Sequence, residues 1–338
     1  MSYISGGLIE ATDYNGFIST NSGANLNATA GTASITSGYG NANISTVSAS
    51  SVVTATQWAT LVNGISTMAS HQGSSITSRT APVVGNTITI LSAVATDLGT
   101  IFTNRYNAAG SGTTVADNGA QSKTTATGSG GSSWTITFTN TLTFANSSAF
   151  FSFFNAGGLT RLQFGKSSTG TVADTAWNAF VGSGAAASAV MPTSLFMTGV
   201  AASKTINGVS YTGTFETGGT GTPGTYTTGT GVYNLTTSDT TILQQNNSAT
   251  YSSNFIRVQA RVNNTSTPTV ITFTTLWSAA STSTPGSTAQ ITGGTATTTS
   301  GATTTFGTAP SVVLAFIPPS TTFLTNNWGT PTLSGSVS

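Results

Sequence analysis

Glu10, Asp13, Asp97, Asp117, Asp174, Glu216 and Asp239 are all the carboxylates of the chain. Two of them about 5 to 9 Å apart across a groove would suit glycoside hydrolysis, one as acid and one as base or nucleophile. Most have ordinary places instead: Asp97 falls within a helical pattern, Asp117 in a loop-like stretch, and Asp174 where a helix N-cap belongs. His71 is the only histidine, which rules out a multi-histidine metal site, and no G-x-S-x-G elbow stands at a strand-to-helix turn to make it part of a serine triad. There is no cysteine, so disulfides, Cys-ligated zinc and thiol catalysis are excluded. We therefore expect no enzyme: no catalytic, cofactor-binding or metal-binding residue, and no cofactor.

The cations are as sparse as the acids. Arg161 sits in a strand-like segment, and Arg257 and Arg261 lie four apart on one face of another. Each reads equally as a solvated strand position and as a member of a partly buried network or subunit contact. Eight Lys and Arg with a net charge of +1 give no basic patch to steer toward phosphate, so nucleic acid is not an expected partner. No apolar run is long enough to span a membrane, and the opening MSYISGGLIE lacks the basic and apolar regions of a signal peptide. The expectation is a protein made in the cytosol, with no membrane partner.

Charged residues make up 4% of the chain, where about a quarter is ordinary. Serine, threonine, asparagine and glycine take their place, and copies of such a chain meet with little repulsion. The remaining 37% apolar residues suffice for a real core.

The first element that positions anything is TATQWATLVNGISTMASHQG, where Trp58, Leu61, Val62, Ile65 and Met68 fall at helical spacing. Thr54 with Gln57 forms a capping-box pattern, and Gly73 suits a helix end. A second apolar stripe predicts a helix over 89–107, so residues 1–112 read as an N-terminal region with helices at about 54–72 and 89–107. Residues 113–133 lose their apolar content and read as a linker or surface loop. From Trp134 the period becomes two, and strands are legible in GVSYTGTFE, TTILQQ, NFIRVQARVN, TVITFTTLW and SVVLAFIPP, with a short helix at DTAWNAFVG. The fold class expected is mainly β (α+β): an antiparallel β-sandwich or jelly-roll-like body over 134–338 with a small N-terminal helical region.

AFFSFFNAGGLTRLQFG lies at the centre of this body. Phe150 and Phe154 would point to one face of a strand and Phe151 and Phe153 to the other. With Asn155, Gly157 and Gly158 supplying a tight turn, the segment predicts a hairpin pairing Phe150–Phe154 with Leu159–Phe164. Its first strand would need cover on both faces, from a sandwich interior or a neighbouring subunit. Trp58, Phe150, Phe151, Phe153, Phe154, Asn155, Gly157, Gly158 and Arg161 are the residues expected to carry core and assembly.

The order ATQWATLVNGISTMASHQG, strand pairs, FFNAGG and LTRLQF, over residues 38 to 165, resembles virion structural proteins of tailed bacteriophages, especially those of cyanobacterial and marine phages. The chain departs from them in its scarcity of charge. The resemblance implies a β-rich, non-enzymatic component of a phage virion, repeated by symmetry, in the tail, baseplate or fibre region. Its partners would be copies of itself, other virion proteins and, through loops such as 226–233, host surface glycans. A capsid decoration protein, and a bacterial surface adhesin or glycan-binding module, are the alternatives.

Overall fold

A computed structural model of the chain describes residues 10–338 apart from 22–23, 36, 85–90, 109–115, 130–132, 168–171, 182–190, 193, 201–202, 207–208, 218–224, 227–229, 248–251, 280–302 and 306–308. Four helices come first: α1 (Ala11–Asn15), which runs on into a π-helical turn at Gly16–Thr20, α2 (Leu26–Ala30), α3 (Ala55–Gln72) and α4 (Leu91–Thr103). The capping box forms at α3, with the Thr54 amide donating to Gln57 Oε1 at 2.8 Å and the Gln57 amide to Thr54 Oγ1 at 3.3 Å. Gly73 closes that helix at φ +64°, a conformation in which a side chain would be strained.

Trp58, Leu61, Ile65 and Met68 form the buried stripe of α3, and Tyr14 and Phe17 meet the Trp58 ring edge-on at 5.8 and 5.9 Å. The second helix is shorter than its apolar stripe suggests. It ends at Thr103, where the Arg105 guanidinium folds back over the Phe102 ring and donates to its carbonyl at 2.8 Å. A buried ion pair between Arg79 and Asp97, with the Thr77 amide on Asp97 Oδ1 at 3.2 Å, ties the α3–α4 connection to α4. The predicted start of that helix, 89–90, lies outside the described residues.

The rest is mainly strand. In chain order come β1 (Ala116–Asp117), β2 (Gln121–Ser122), β3 (Thr125–Ser129), β4 (Ser133–Thr143), α5 (Ser147–Asn155), β5 (Leu159–Gly165), α6 (Val172–Val181), β6 (Ser194–Met197), β7 (Ser203–Ile206), β8 (Val209–Thr212) and β9 (Thr214–Thr217). They continue with β10 (Thr225–Tyr226), a 3-10 turn at Val232–Asn234, β11 (Thr240–Asn246), β12 (Phe255–Val262), β13 (Val270–Ala279), β14 (Thr303–Thr305), β15 (Ser311–Ile317) and β16 (Thr332–Val337).

Two antiparallel sheets result. A six-stranded sheet runs β1-β15-β5-β6-β9 with β2 also on β15, and an eight-stranded sheet runs β10-β11-β12-β13-β4-β3-β14 with β16 also on β4. β7 and β8 form a separate hairpin. Trp134, Ile136, Phe138 and Leu142 of β4, Ile256 and Val258 of β12, and Leu162 of β5 and Leu314 of β15 belong to one contiguous core, which also takes in the stripe of α3. The segment expected as linker or loop holds β1, β2 and β3 and pairs with both sheets.

The phenylalanine segment departs from its expected hairpin. Phe150 to Phe154 lie on α5, not on a strand, and only Leu159–Gly165 extends as a strand, paired with β15 and β6. The Asn146 side chain accepts from the Ala149 amide at 2.9 Å and caps the start. At the other end the Gly158 amide donates to Phe153 O at 2.8 Å and the Gly157 amide to Phe154 O at 3.3 Å. This is a Schellman closure, with Gly157 at φ +100°. The glycine pair that suits a hairpin turn suits a helix end as well, and here it ends a helix.

Candidate functional surface

α5 is the crossover from the eight-stranded to the six-stranded sheet, and its rings pack on both. Phe144, just past β4, meets Phe150 at 5.2 Å and Phe153 at 5.3 Å; Phe153 meets Phe316 of β15 at 5.9 Å; and Phe151 meets Tyr233 at 5.8 Å. All four phenylalanines are buried within a single chain, so the two-sided cover they require comes from this fold and not from a neighbouring subunit. This segment therefore gives no support to an interface between copies.

Asn155 ties the helix to distant chain. Its Nδ2 donates to the carbonyls of Ser34, Ser37 and Gly38 at 2.8, 3.0 and 2.9 Å, and its Oδ1 accepts from the Tyr233 hydroxyl at 2.9 Å. Burial raises the Tyr233 hydroxyl well above the usual phenol range. The only histidine joins the same region: the buried His71 ring places Nε2 3.1 Å from Ala156 O. At the glycine pair, a Cβ on Gly158 would lie 2.4 Å from the Phe153 ring, and one on Gly157 2.4 Å from the Ala108 Cβ. Trp58, the four phenylalanines, Asn155 and the two glycines are thus structural, and Arg161 stands apart on β5, half-buried and opposite Ala315 and Phe196.

The titratable groups scatter. Asp97 is paired with Arg79, and Asp239 Oδ1 accepts from Arg261 at 2.6 Å. Asp117 accepts from the Gly119 amide at 3.0 Å, and Glu10 and Asp13 cap α1. Asp174 is the third residue of α6 rather than its cap. Glu216 on β9 is half-buried, and burial raises its carboxyl above the ordinary range. Among the described residues no three His, Cys, Asp or Glu side chains group where a metal could be held, and no described helix is long and apolar enough to cross a membrane.

The extended chemical surface is the outer face of the eight-stranded sheet. Alternation on β4 sends Trp134, Ile136, Phe138, Asn140 and Leu142 inward, so Thr135, Thr137, Thr139, Thr141 and Thr143 take the opposite face. The register carries the pattern across strands: Ser334, Thr141, Thr272 and Arg261 form one row, and Ser336, Thr139, Thr274 and Gln259 the next. Over β16, β4, β13, β12 and β11 the only charged side chains are Arg257 and Arg261. Arg257 lies over the Phe255 ring at 5.7 Å. The hydroxyls and methyls of this outer face, spaced about 4.8 Å across and 6.7 Å along the strands, are mostly half-buried, with Thr272 buried, and they form a face with few charges.

The composition signals this surface through its Thr-x-Thr alternation, but its extent rests on long-range strand pairing, and β16 is too polar to read as a strand. Comparison with known protein families, with curated proteins and with solved structures finds no match in any of the three.

Proposed function

We propose that the chain is a non-enzymatic structural component of a tailed-phage virion, in the tail, baseplate or fibre region, acting as a symmetric homo-oligomer. The observation that carries this reading is the neutral hydroxyl face of the eight-stranded sheet, five strands wide with two charges. Apart from Arg257 and Arg261, such a face meets another copy without the desolvation cost of burying ions. The carboxylates of Asp97, Asp117, Asp239, Glu10 and Asp13 serve local structural roles and Glu216 is alone on its strand, which favours a structural over a catalytic part.

A glycan-binding role has weaker support. Tyr233, one of the two tyrosines bounding the 226–233 loop, has its ring against Phe151 and its hydroxyl on Asn155, which leaves it poorly placed to stack on a sugar. Immunogold labelling of purified tailed-phage particles with antibody against the recombinant chain tests the reading. Regular label at one position on the tail supports it, and particles free of label while lysate proteins outside the virion react would overturn it.

A further inference from the structure

β16 closes the seam between the two sheets. It pairs with β4 from Thr332 opposite Thr143 to Val337 opposite Phe138, and on its other side the Asn118 side chain reaches Ser334 O at 3.4 Å. None of its residues is fully buried: Thr332, Ser334, Gly335 and Ser336 are exposed, and Leu333 and Val337 half-buried. The β4 residues beside it, Phe138 and Leu142, have no exposure at all. The core therefore depends on this strand, while the strand is held mainly by ladder hydrogen bonds that any chain of suitable pattern would make.

That pattern is narrow. Leu333, Gly335 and Val337 share the face opposite Leu142, Asn140 and Phe138. A Cβ on Gly335 would come within 2.7 Å of Asn140 Oδ1 and 2.8 Å of Asn118 Nδ2, which Asn118 and Asn140 hold in place by their own 2.6 Å hydrogen bond. The slot thus selects apolar-x-Gly-x-apolar, the pattern of every copy of β16. The connection from the buried Trp328 is three residues, Gly329 at φ +67°, Thr330 and Pro331, and short constrained hinges of this kind invite exchange between protomers.

We propose that β16 is an exchangeable strand, and that the β4 slot of one protomer takes Thr332–Val337 of a second copy of this chain. This rests on the homo-oligomer reading and names its contact. The slot makes the same contacts in the closed and exchanged forms, so hinge conformation and protein concentration set the balance. An extended hinge of three residues reaches about 10 Å, which places neighbouring β4 edges side by side. Reciprocal exchange gives a closed pair, and one-way exchange a ring or filament.

The absence of native cysteine makes the test clean. Thr141 Oγ1 and Ser334 Oγ lie 2.5 Å apart, so Thr141→Cys and Ser334→Cys place two thiols in bonding range within the slot. The two single variants, one bearing a size tag, are co-refolded at high concentration, oxidised gently, and examined on a non-reducing gel with light scattering alongside. A tagged–untagged crosslink is expected, and adding Gly335→Val to the Ser334→Cys chain should lower its yield at least about tenfold. Oligomers without that crosslink would overturn strand exchange and leave the homo-oligomer reading standing. Monomers at every concentration, with a chain carrying both Thr141→Cys and Ser334→Cys crosslinking only within itself, would overturn both.

Discussion

At the scale of single residues, the side chains that matter most are polar and buried. Asn155 is the only described link joining α5, the 34–38 loop and the 3-10 turn through one carboxamide. Asn155→Ala takes from the buried Gly38 carbonyl and from the Tyr233 hydroxyl their Asn155 partner, and the expected loss is about 2 to 3 kcal/mol by urea unfolding. Burial raises the hydroxyls of Tyr39 and Tyr233. A raised folded-state value favours the neutral ring, so its stability is intact below the unfolded phenol value of about 10 and is lost as pH climbs past it. Alkaline titration of the melting temperature should fall steeply above that point, and less steeply in Tyr233→Phe. Glu216 follows the same sign in the acid range: Glu216→Gln should raise the melting temperature at pH 7 and leave it unchanged near pH 3, because only the ionised carboxylate is penalised by burial. No sequence pattern marks Asn155 as this link, since its partners lie more than 75 positions away.

At the scale of elements, the sequence was most legible where local chemistry decides the outcome. Thr54 with Gln57 and Gly73 bound α3 from three residue types alone, and Thr54→Ala should cost about 1 kcal/mol. The strand of NFIRVQARVN alternates cleanly because one face is core and the other is not, and TVITFTTLW follows the same period except at the buried Thr272. The phenylalanine segment defeats the same reasoning. A run apolar on every side fits a buried strand and a buried helix equally, and periodicity cannot separate them over so few residues. The signals that favour the helix are Asn146 at its start, the i, i+3, i+4 spacing of Phe150, Phe153 and Phe154, and a glycine pair at its end. Phe150 has no exposure and meets the rings of Phe144, Phe151, Phe154 and Tyr233. Phe150→Ala should therefore cost about 3 to 5 kcal/mol, a large share of the 5 to 15 kcal/mol typical of a whole domain. β16 and β6 stayed illegible for the opposite reason: they are short or polar, and pairing rather than propensity makes them strands.

At the scale of the whole molecule, the mainly β class was legible from the change of period at Trp134, while the single core shared by the stripe of α3 and both sheets rests on long-range packing that no local pattern marks. The scarcity of charge is the property with the widest consequence. Association through neutral hydroxyl faces should be nearly indifferent to ionic strength, since screening acts only on charges. The most direct measurement is therefore the mass of the purified chain by light scattering, over a concentration series at low and high salt. A defined multiple of 33.8 kDa that persists from low salt to 1 M is expected. A mass of one chain at every concentration, or a multimer that dissolves as salt rises, would contradict it.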